Sequence, residues 1–164
     1  MGTLNLVIGP VGAGKTTFAR QRVLKERAVL LDVDTWMVRL FGKDTRPQEN
    51  VIAWYLERRE RCRALIWDLA CELLGSGADV FLELGLVTSQ EREAYYTKAR
   101  EREFQLVVYL LDESRDIRRE RIVERNRSAG EHTQIVPIPF FEVASDAWQA
   151  PTEAERKAVD IIDA

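Results

Sequence analysis

One stretch decides the fold of this chain: Gly9-Pro10-Val11-Gly12-Ala13-Gly14-Lys15-Thr16. It fits the pattern G-x-x-x-x-G-K-[ST], in which a glycine-rich turn wraps its backbone N–H groups around phosphate oxygens. Its three glycines permit backbone angles that a side chain would forbid. Lys15 carries a charge that can reach the β- and γ-phosphates of a nucleoside triphosphate, and the Thr16 hydroxyl can bind Mg²⁺. The predicted phosphate-binding residues are Gly9, Gly12, Ala13, Gly14, Lys15, Thr16 and Thr17.

The residues on either side of this loop have the pattern that such a loop requires. Residues 4–8 form a short apolar run, which is typical of a buried parallel strand. Residues 15–25 contain no Gly or Pro, and Phe18, Ala19 and Val23 recur at helical spacing. The sequence therefore predicts strand, loop and helix in that order. The free N–H groups and the positive dipole end of the helix would add to the attraction for phosphate.

Composition indicates an ordinary globular chain. With 164 residues, 46% of them hydrophobic and 31% charged, we expect one domain covering residues 1–164. The net charge of -3 disfavours a general nucleic-acid coat but leaves room for a local basic groove. No apolar run approaches the ~20 residues that span a bilayer, so no membrane partner is expected. The chain begins directly with a strand and shows no leader pattern, which predicts a cytoplasmic location.

Apolar runs and helical spacing alternate along the chain. The predicted strands are residues 4–8, 28–32, 79–84, 104–111 and 158–162. The predicted helices are residues 15–25, 35–41, 48–74, 89–103, 114–128 and 139–148, with Ser89 as a cap. This alternation predicts an α/β fold, a three-layer sandwich around a parallel sheet of about five strands. Ligands of such sheets bind beyond the carboxyl ends of the strands.

Acidic residues follow the second, third and fourth predicted strands, and those after the second strand are candidates for a general base. A hydroxyl that attacks a γ-phosphoryl group needs its proton accepted, and Asp34 is our first candidate for that role. Asp32 lies two residues earlier and would share the same side if the strand stays extended. The sequence leaves the choice between Asp32 and Asp34 open.

Glu83 and Asp112 are the alternatives for an acid that meets Mg²⁺ together with Thr16. Glu83 would do so, through water, if the third strand lies beside the first. Residues 107–112 also form an apolar run that ends in an acid, as metal-binding strands of this kind do. Acids at strand ends also act as helix caps or turn formers, which is the commoner role and the one we favour for Asp112.

Arginines crowd the helix predicted at residues 114–128. Arg118, Arg121 and Arg125 lie at i, i+3 and i+7, hence on one face, where guanidinium groups could bind phosphate oxygens as a lid. Gly130 could act as its hinge. The alternative is a solvated helix face paired with neighbouring glutamates. That surface role is the one we expect for the arginines of the long helix, which are Arg58, Arg59, Arg61 and Arg63.

These motifs together resemble the P-loop kinase-like ATPases often labelled as an AAA-type domain, relatives of zeta toxins, chloramphenicol phosphotransferase and polynucleotide kinase. The resemblance rests on residues 9–16, 34–42, 83–85 and 121–126. It implies the sheet order 2-3-1-4-5, an aspartate after strand two that activates the acceptor hydroxyl, and an R-x-x-x-R lid around the phosphates.

The chain departs from this family at several positions. The family arginine often follows the aspartate by three residues, whereas Arg39 follows Asp34 by five, and many relatives carry Asp in place of Glu83. The acceptor-binding residues of the antibiotic kinases and the toxins are not recognisable. Aromatic residues could line an acceptor site or pack in the core. They are Trp36, Phe41, Trp54 and Tyr55.

The sequence thus favours an ATP- and Mg²⁺-dependent kinase that phosphorylates a hydroxyl of a small molecule or nucleotide. Asp34 would be the base, Lys15 would bind the phosphates, and Arg121 and Arg125 would stabilise the developing charge, with Arg118 binding nucleotide. One alternative is a nucleotide-binding switch with a protein partner. Another is a polynucleotide 5′-end kinase, which the acidic composition disfavours. The acceptor, the choice of ATP or GTP and the oligomeric state stay open, and His132 is assigned no role.

Overall fold

Strands and helices alternate along the chain, as the sequence pattern predicts. The computed structural model describes residues 1–128, 130 and 135–164. The strands are Thr3–Ile8 (β1), Val29–Asp32 (β2), Val80–Glu83 (β3), Gln105–Leu110 (β4) and Ile161–Asp163 (β5). The helices are Lys15–Glu26 (α1), Val33–Phe41 (α2), Val51–Gly75 (α3), Ser89–Glu101 (α4), Arg115–Arg127 (α5), Ile138–Ala147 (α6) and Glu153–Ala158 (α7).

The five strands form one parallel sheet in the order β2-β3-β1-β4-β5, which confirms the predicted fold class and strand order. β1 lies in the middle, paired with β3 on one side and β4 on the other. The register places Asp32 of β2 opposite Glu83 of β3, so their acidic ends are adjacent. The loop after β1 therefore opens at the same sheet edge as these two carboxylates.

Side chains of successive strand residues pack on opposite faces of the sheet, because the side-chain period of a strand is two. On one face, Leu6 and Leu82 pack with Ile66 of α3 and Tyr96 of α4. On the other face, neighbouring strand residues such as Phe81 pack against α1. Helices thus cover both faces of the sheet, which gives the three layers that the sequence predicts.

Capping side chains explain where two of the helices begin. α2 starts at Val33, because the Asp32 side chain accepts hydrogen bonds from the backbone N–H groups of Asp34 and Thr35. α4 is capped by Thr88 instead of Ser89, and Thr88 forms a reciprocal capping box with Glu91. In both helices the cap is the residue whose oxygen meets a free N–H of the first turn.

The C-terminal segment contains a helix that the sequence analysis missed. α7 covers residues 153–158, and the Thr152 side chain accepts from the Glu155 N–H at its start. The last strand therefore begins at Ile161, and Ala158, predicted to start it, ends α7 instead. The two cysteines, Cys62 and Cys71, are both free thiols. Within the described ranges, each helix is too short or too polar to cross a bilayer.

Candidate functional site

The loop between β1 and α1 has the backbone form that phosphate binding requires. Gly12 has a φ of 81° and Gly14 a φ of 95°, both in the left-handed region that favours glycine. A Cβ on Gly12 would lie 2.8 Å from the Arg118 carbonyl oxygen. Gly14 is the N-cap of α1 and has no side chain to accept from its first turn. The first N–H groups of α1 are therefore available to an anion.

Lys15 lies at the start of α1 with its ammonium folded back over the loop. Its Nζ donates to the Pro10 carbonyl oxygen at 2.9 Å. Burial lowers the pKa of Lys15 below its ordinary value, while the carboxylates of Glu83 and Asp34 oppose that shift. An anionic ligand would favour the charged ammonium further, so this environment suits a phosphate group.

Thr16 and Glu83 are in direct contact. The Thr16 hydroxyl donates to Oε2 of Glu83 at 2.6 Å, because β3 lies beside β1 as the prediction required. Glu83 is only 6% exposed, and burial raises its pKa to about 7. Both side chains offer oxygen ligands, and Mg²⁺ is commonly held by few protein oxygens plus water, so the donor set fits this ion. The alternative acid, Asp112, is exposed.

The two aspartates after β2 have different environments. Asp32 is buried, and both of its oxygens are engaged in the cap of α2: Oδ1 accepts from the Asp34 N–H at 2.9 Å and Oδ2 from the Thr35 hydroxyl at 2.7 Å. Burial raises the pKa of Asp32. Asp34 lies in the first turn of α2 with a half-exposed side chain. β2 ends at Asp32 and α2 begins at Val33, so the extended backbone that a shared side of Asp32 and Asp34 would require is not present.

The arginine face of α5 does lie against the phosphate-binding loop, but its members differ. Arg118 is buried, and its Nη1 donates to the Val11 carbonyl oxygen at 2.9 Å and to the Ser145 hydroxyl at 3.1 Å. Arg118 thus fixes the backbone of the loop at Val11. Arg121 donates to the Ala13 carbonyl oxygen at 3.4 Å, and the charge of Arg125 lowers the pKa of Lys15.

The hinge predicted at Gly130 stays a prediction. Gly130 itself belongs to the described residues, but its neighbour at position 129 and residues 131–134, His132 among them, lie outside.

Two arginines of α3 correct the expectation of a surface role. Arg63 is buried, and it donates from Nε to the Leu84 carbonyl oxygen at 3.0 Å and from Nη2 to that of Gly85 at 2.9 Å. Arg59 donates to the same two oxygens at 3.4 and 3.5 Å. The chain leaves the sheet after β3, and its carbonyl groups there need donors. The charge pattern of α3 alone could not reveal this need. Arg61 is exposed and pairs with Glu57, as expected.

A cavity of about 1030 Å³ lies between α2, the loop that follows it, the first half of α3 and residues 135–140. Three of the four aromatic candidates line it, namely Phe41, Trp54 and Tyr55. Trp36 packs against the core of the protein instead. Arg59 also lines the cavity, and its Nη2 is 3.9 Å from Oδ1 of Asp34. The cavity is therefore close to the candidate base.

A smaller cavity of about 330 Å³ lies against the loop itself. Ala13, Gly14 and Thr17 of the predicted phosphate-binding set line it, together with Gln21 and Arg121. This smaller cavity thus brings residues of the loop together with Arg121 of α5.

Comparisons with known proteins agree with this geometry. The sequence profile of the AAA domain family (AAA_33) matches residues 4–138. No curated protein sequence matches the chain. A candidate kinase from Chloroflexus aurantiacus superimposes with a TM-score of 0.72 at 17% identity, covering 99% of this chain and 85% of that one. A sugar kinase from Janibacter sp. HTCC2649 gives 0.63 at 12% identity, covering 100% and 85%.

A third solved structure, the Pnkp1/Rnl/Hen1 RNA repair complex, contains a chain with a TM-score of 0.67 at 18% identity. That match covers 97% of this chain but only 46% of the other. At such identities the likeness establishes the fold. Because the family profile spans most of the chain, the chain belongs to the AAA domain family, and its fold is that of the P-loop kinase-like proteins which it resembles.

Proposed function

We propose that this protein is an ATP- and Mg²⁺-dependent phosphotransferase that acts on a hydroxyl of a small molecule or nucleotide. The observation that carries the proposal is the meeting of three features at one sheet edge. They are the phosphate-binding loop, the Thr16–Glu83 contact and the half-exposed Asp34 beside a large cavity. Phosphoryl transfer depends mainly on positioning and charge stabilisation, which these features would supply.

In this proposal the loop amides and Lys15 bind the β- and γ-phosphates. Arg121 and Arg125 approach from α5 and stabilise the charge that develops on the γ-phosphoryl oxygens. Thr16 and Glu83 would hold Mg²⁺, which neutralises negative charge on the phosphates when bound. Arg118 is not among the proposed direct phosphate ligands, because its guanidinium donates hydrogen bonds to the Val11 carbonyl oxygen and the Ser145 hydroxyl.

Asp34 is the residue proposed to accept the proton. The acceptor oxygen attacks the γ-phosphorus, the bond from the γ-phosphorus to the bridging oxygen breaks, the nucleoside diphosphate leaves, and the acceptor proton passes to the Asp34 carboxylate. Asp32 is the weaker candidate, because its oxygens already cap α2.

The test is transfer from γ-labelled ATP, and in parallel from labelled GTP, to a panel of hydroxyl acceptors. We expect Asp34→Asn to lower transfer by about 10²–10⁴-fold while nucleotide affinity stays unchanged. Asp68→Asn is the matched control, because Asp68 is an exposed aspartate on the helix α3. Unchanged transfer in Asp34→Asn would remove the base assignment. An absence of nucleotide affinity in the presence of Mg²⁺ would overturn the proposal as a whole.

The same assay separates the alternative functions. Hydrolysis of ATP without transfer to any acceptor, together with nucleotide-dependent binding of a protein, would favour the switch. A polynucleotide with a 5′-hydroxyl end belongs in the acceptor panel, and its binding should weaken steeply with salt if the end kinase is right.

A further inference from the structure

The cavity beside Asp34 has one sign of charge. Four cationic side chains line it, namely Arg39, Lys43, Arg46 and Arg59, and its lining among the described residues includes no acid. Arg39 lies in the last turn of α2, Lys43 and Arg46 lie in the loop that follows, and Arg59 lies on α3. Two separate segments of the chain thus bring positive charge to the same cavity.

Most of these cations have no carboxylate partner. Arg39, Lys43 and Arg46 are exposed, and none of them forms an ion pair with another described residue. Elsewhere in the described chain, exposed arginines are commonly paired, as Arg61 is with Glu57 and Arg156 with Asp163. Neighbouring like charges without counter-ions repel each other, and an anionic ligand relieves that repulsion.

The rest of the cavity wall is apolar. Aromatic rings of Phe41, Trp54 and Phe140 line it, and Ile52 and Leu56 of α3 are at least half exposed beside them. Such a surface favours a ligand with a flat apolar body, because binding then removes apolar area of both the ligand and the cavity wall from water. A purely hydrophilic ligand would not bury this apolar surface favourably.

We propose that this cavity binds an amphipathic anionic alcohol, a molecule with a flat apolar body, a carboxylate or phosphate group and a free hydroxyl. The proposal rests on the proposed function for its choice of an alcohol. Arg39 and Arg46 bind the anionic group, since a guanidinium matches the planar geometry of a carboxylate or phosphate. The aromatic wall holds the apolar body, and the hydroxyl faces the end of the cavity near Arg59 and Asp34.

The experiment compares matched fluorescent probes for binding in the absence of nucleotide. The probes are naphthylmethanol, its carboxylate derivative hydroxymethyl-naphthoate and the corresponding hydroxymethyl-naphthyl phosphate. We expect each anionic probe to bind at least about tenfold more tightly than the neutral one. Stronger binding of the phosphate or of the carboxylate identifies the anion. Gluconate, which has hydroxyls and a carboxylate without an apolar body, should bind more weakly than the naphthoate.

Substitutions then locate the binding. Arg39→Gln and Arg46→Gln should each weaken the anionic probes by about fivefold or more without affecting the neutral one. Both residues are exposed, so the variants should fold normally. Arg61→Gln is the matched control on α3. Equal affinity for neutral and anionic probes, or anionic affinity that survives both substitutions, would overturn the proposal.

A second control keeps this result separate from the proposed function. Lys15→Met should abolish nucleotide binding and leave the probe affinities unchanged, because Lys15 does not line the cavity. Loss of probe binding in Lys15→Met would show that the anion occupies the phosphate-binding loop, which would also overturn the assignment. Probe binding without any phosphoryl transfer would confirm the site and count against the proposed reaction alone.

Discussion

Arg59 joins the end of β3 to the candidate base on α2. Its Nη2 lies 3.9 Å from Oδ1 of Asp34 and donates to the Leu84 carbonyl oxygen at 3.4 Å. One guanidinium group therefore ties the position of the Asp34 carboxylate to the sheet edge. In the proposed mechanism Arg59 is a positioning residue, because it would act on the acceptor through Asp34.

Replacing Arg59 should lower the rate of transfer more than it lowers nucleotide affinity. We expect Arg59→Gln to reduce kcat about tenfold or more with little change in KM for ATP, since misplacing a reacting group by a small distance is costly. Arg59→Lys should rescue part of the loss, because it keeps the charge. Steady-state kinetics with Arg61→Gln as control would check this. A rise in KM for ATP at constant kcat would contradict the positioning role.

A substitution at Gly85 provides a second test of the contact between Arg59 and Asp34. Its φ is 60°, and an added Cβ would lie 1.9 Å from Nη2 of Arg59. Gly85→Ala should therefore displace Arg59 and reduce transfer, besides costing about 1–2 kcal/mol of stability for the left-handed backbone.

Gly77→Ala is the matched control for that substitution. Gly77 also has a left-handed φ, of 92°, but its Cβ would meet no atom within 4 Å. We expect a similar loss of stability, measured by urea unfolding, with unchanged transfer. Equal transfer rates in the two variants would show that the Arg59 contact is dispensable.

Glu83 should make the affinity for Mg²⁺-nucleotide depend on pH. Burial raises its pKa to about 7, so the carboxyl becomes protonated below that pH and then loses its attraction for the metal. We expect the apparent affinity to fall by up to about tenfold per unit below pH 7.

Glu83→Gln should weaken the affinity at pH 8 and abolish that dependence. Asp112→Asn should change neither, because Asp112 is exposed and takes no part in the Thr16–Glu83 contact. Titration calorimetry between pH 5.5 and 8 would measure the three proteins. A pH profile that Glu83→Gln leaves intact would remove Glu83 from the metal site.

Glu155 should contribute stability that acid removes. Burial alone would raise its pKa, but hydrogen bonds from Arg92 at 2.6 and 2.8 Å and from Tyr96 at 2.8 Å outweigh that effect and lower it. A carboxyl whose folded-state pKa is depressed stabilises the fold above its ordinary value of 4.5, and the contribution disappears as the pH falls through the lowered value.

The measurement is the free energy of unfolding in urea at neutral and acidic pH. Glu155→Gln should cost about 3–5 kcal/mol at pH 7, because it leaves the fully buried Arg92 without its partner. The difference from the unsubstituted protein should shrink towards pH 3. Glu153→Gln, an exposed neighbour on α7, should have little effect at either pH. A cost that is the same at both pH values would contradict the assignment.

Local patterns were sufficient for most of the fold. Apolar runs and helical spacing predict five strands and most helices, because each depends on residues that are close in sequence. The missed helix α7 is only six residues long and is anchored by Glu155, whose contact with Arg92 spans 63 positions. The residues around Glu155 carry no pattern that predicts a contact with Arg92. The start of α2 lies at Val33 instead of residue 35, because the Asp32 side chain caps the helix.

The sequence by itself determined the phosphate-binding loop, the parallel sheet and a short set of acids at its edge, whereas the strand order was expected only from the family resemblance. Only the tertiary structure decided which neighbours each of those acids has. In the folded chain Glu83 accepts a hydrogen bond from Thr16, and Asp32 caps α2. Arg118 and Arg63 are buried, and four cationic side chains line one cavity. The physical reason is that hydrogen bonding and charge act between neighbours in space. Which carbonyl lacks a donor, and which cations converge, is settled only when distant segments pack together.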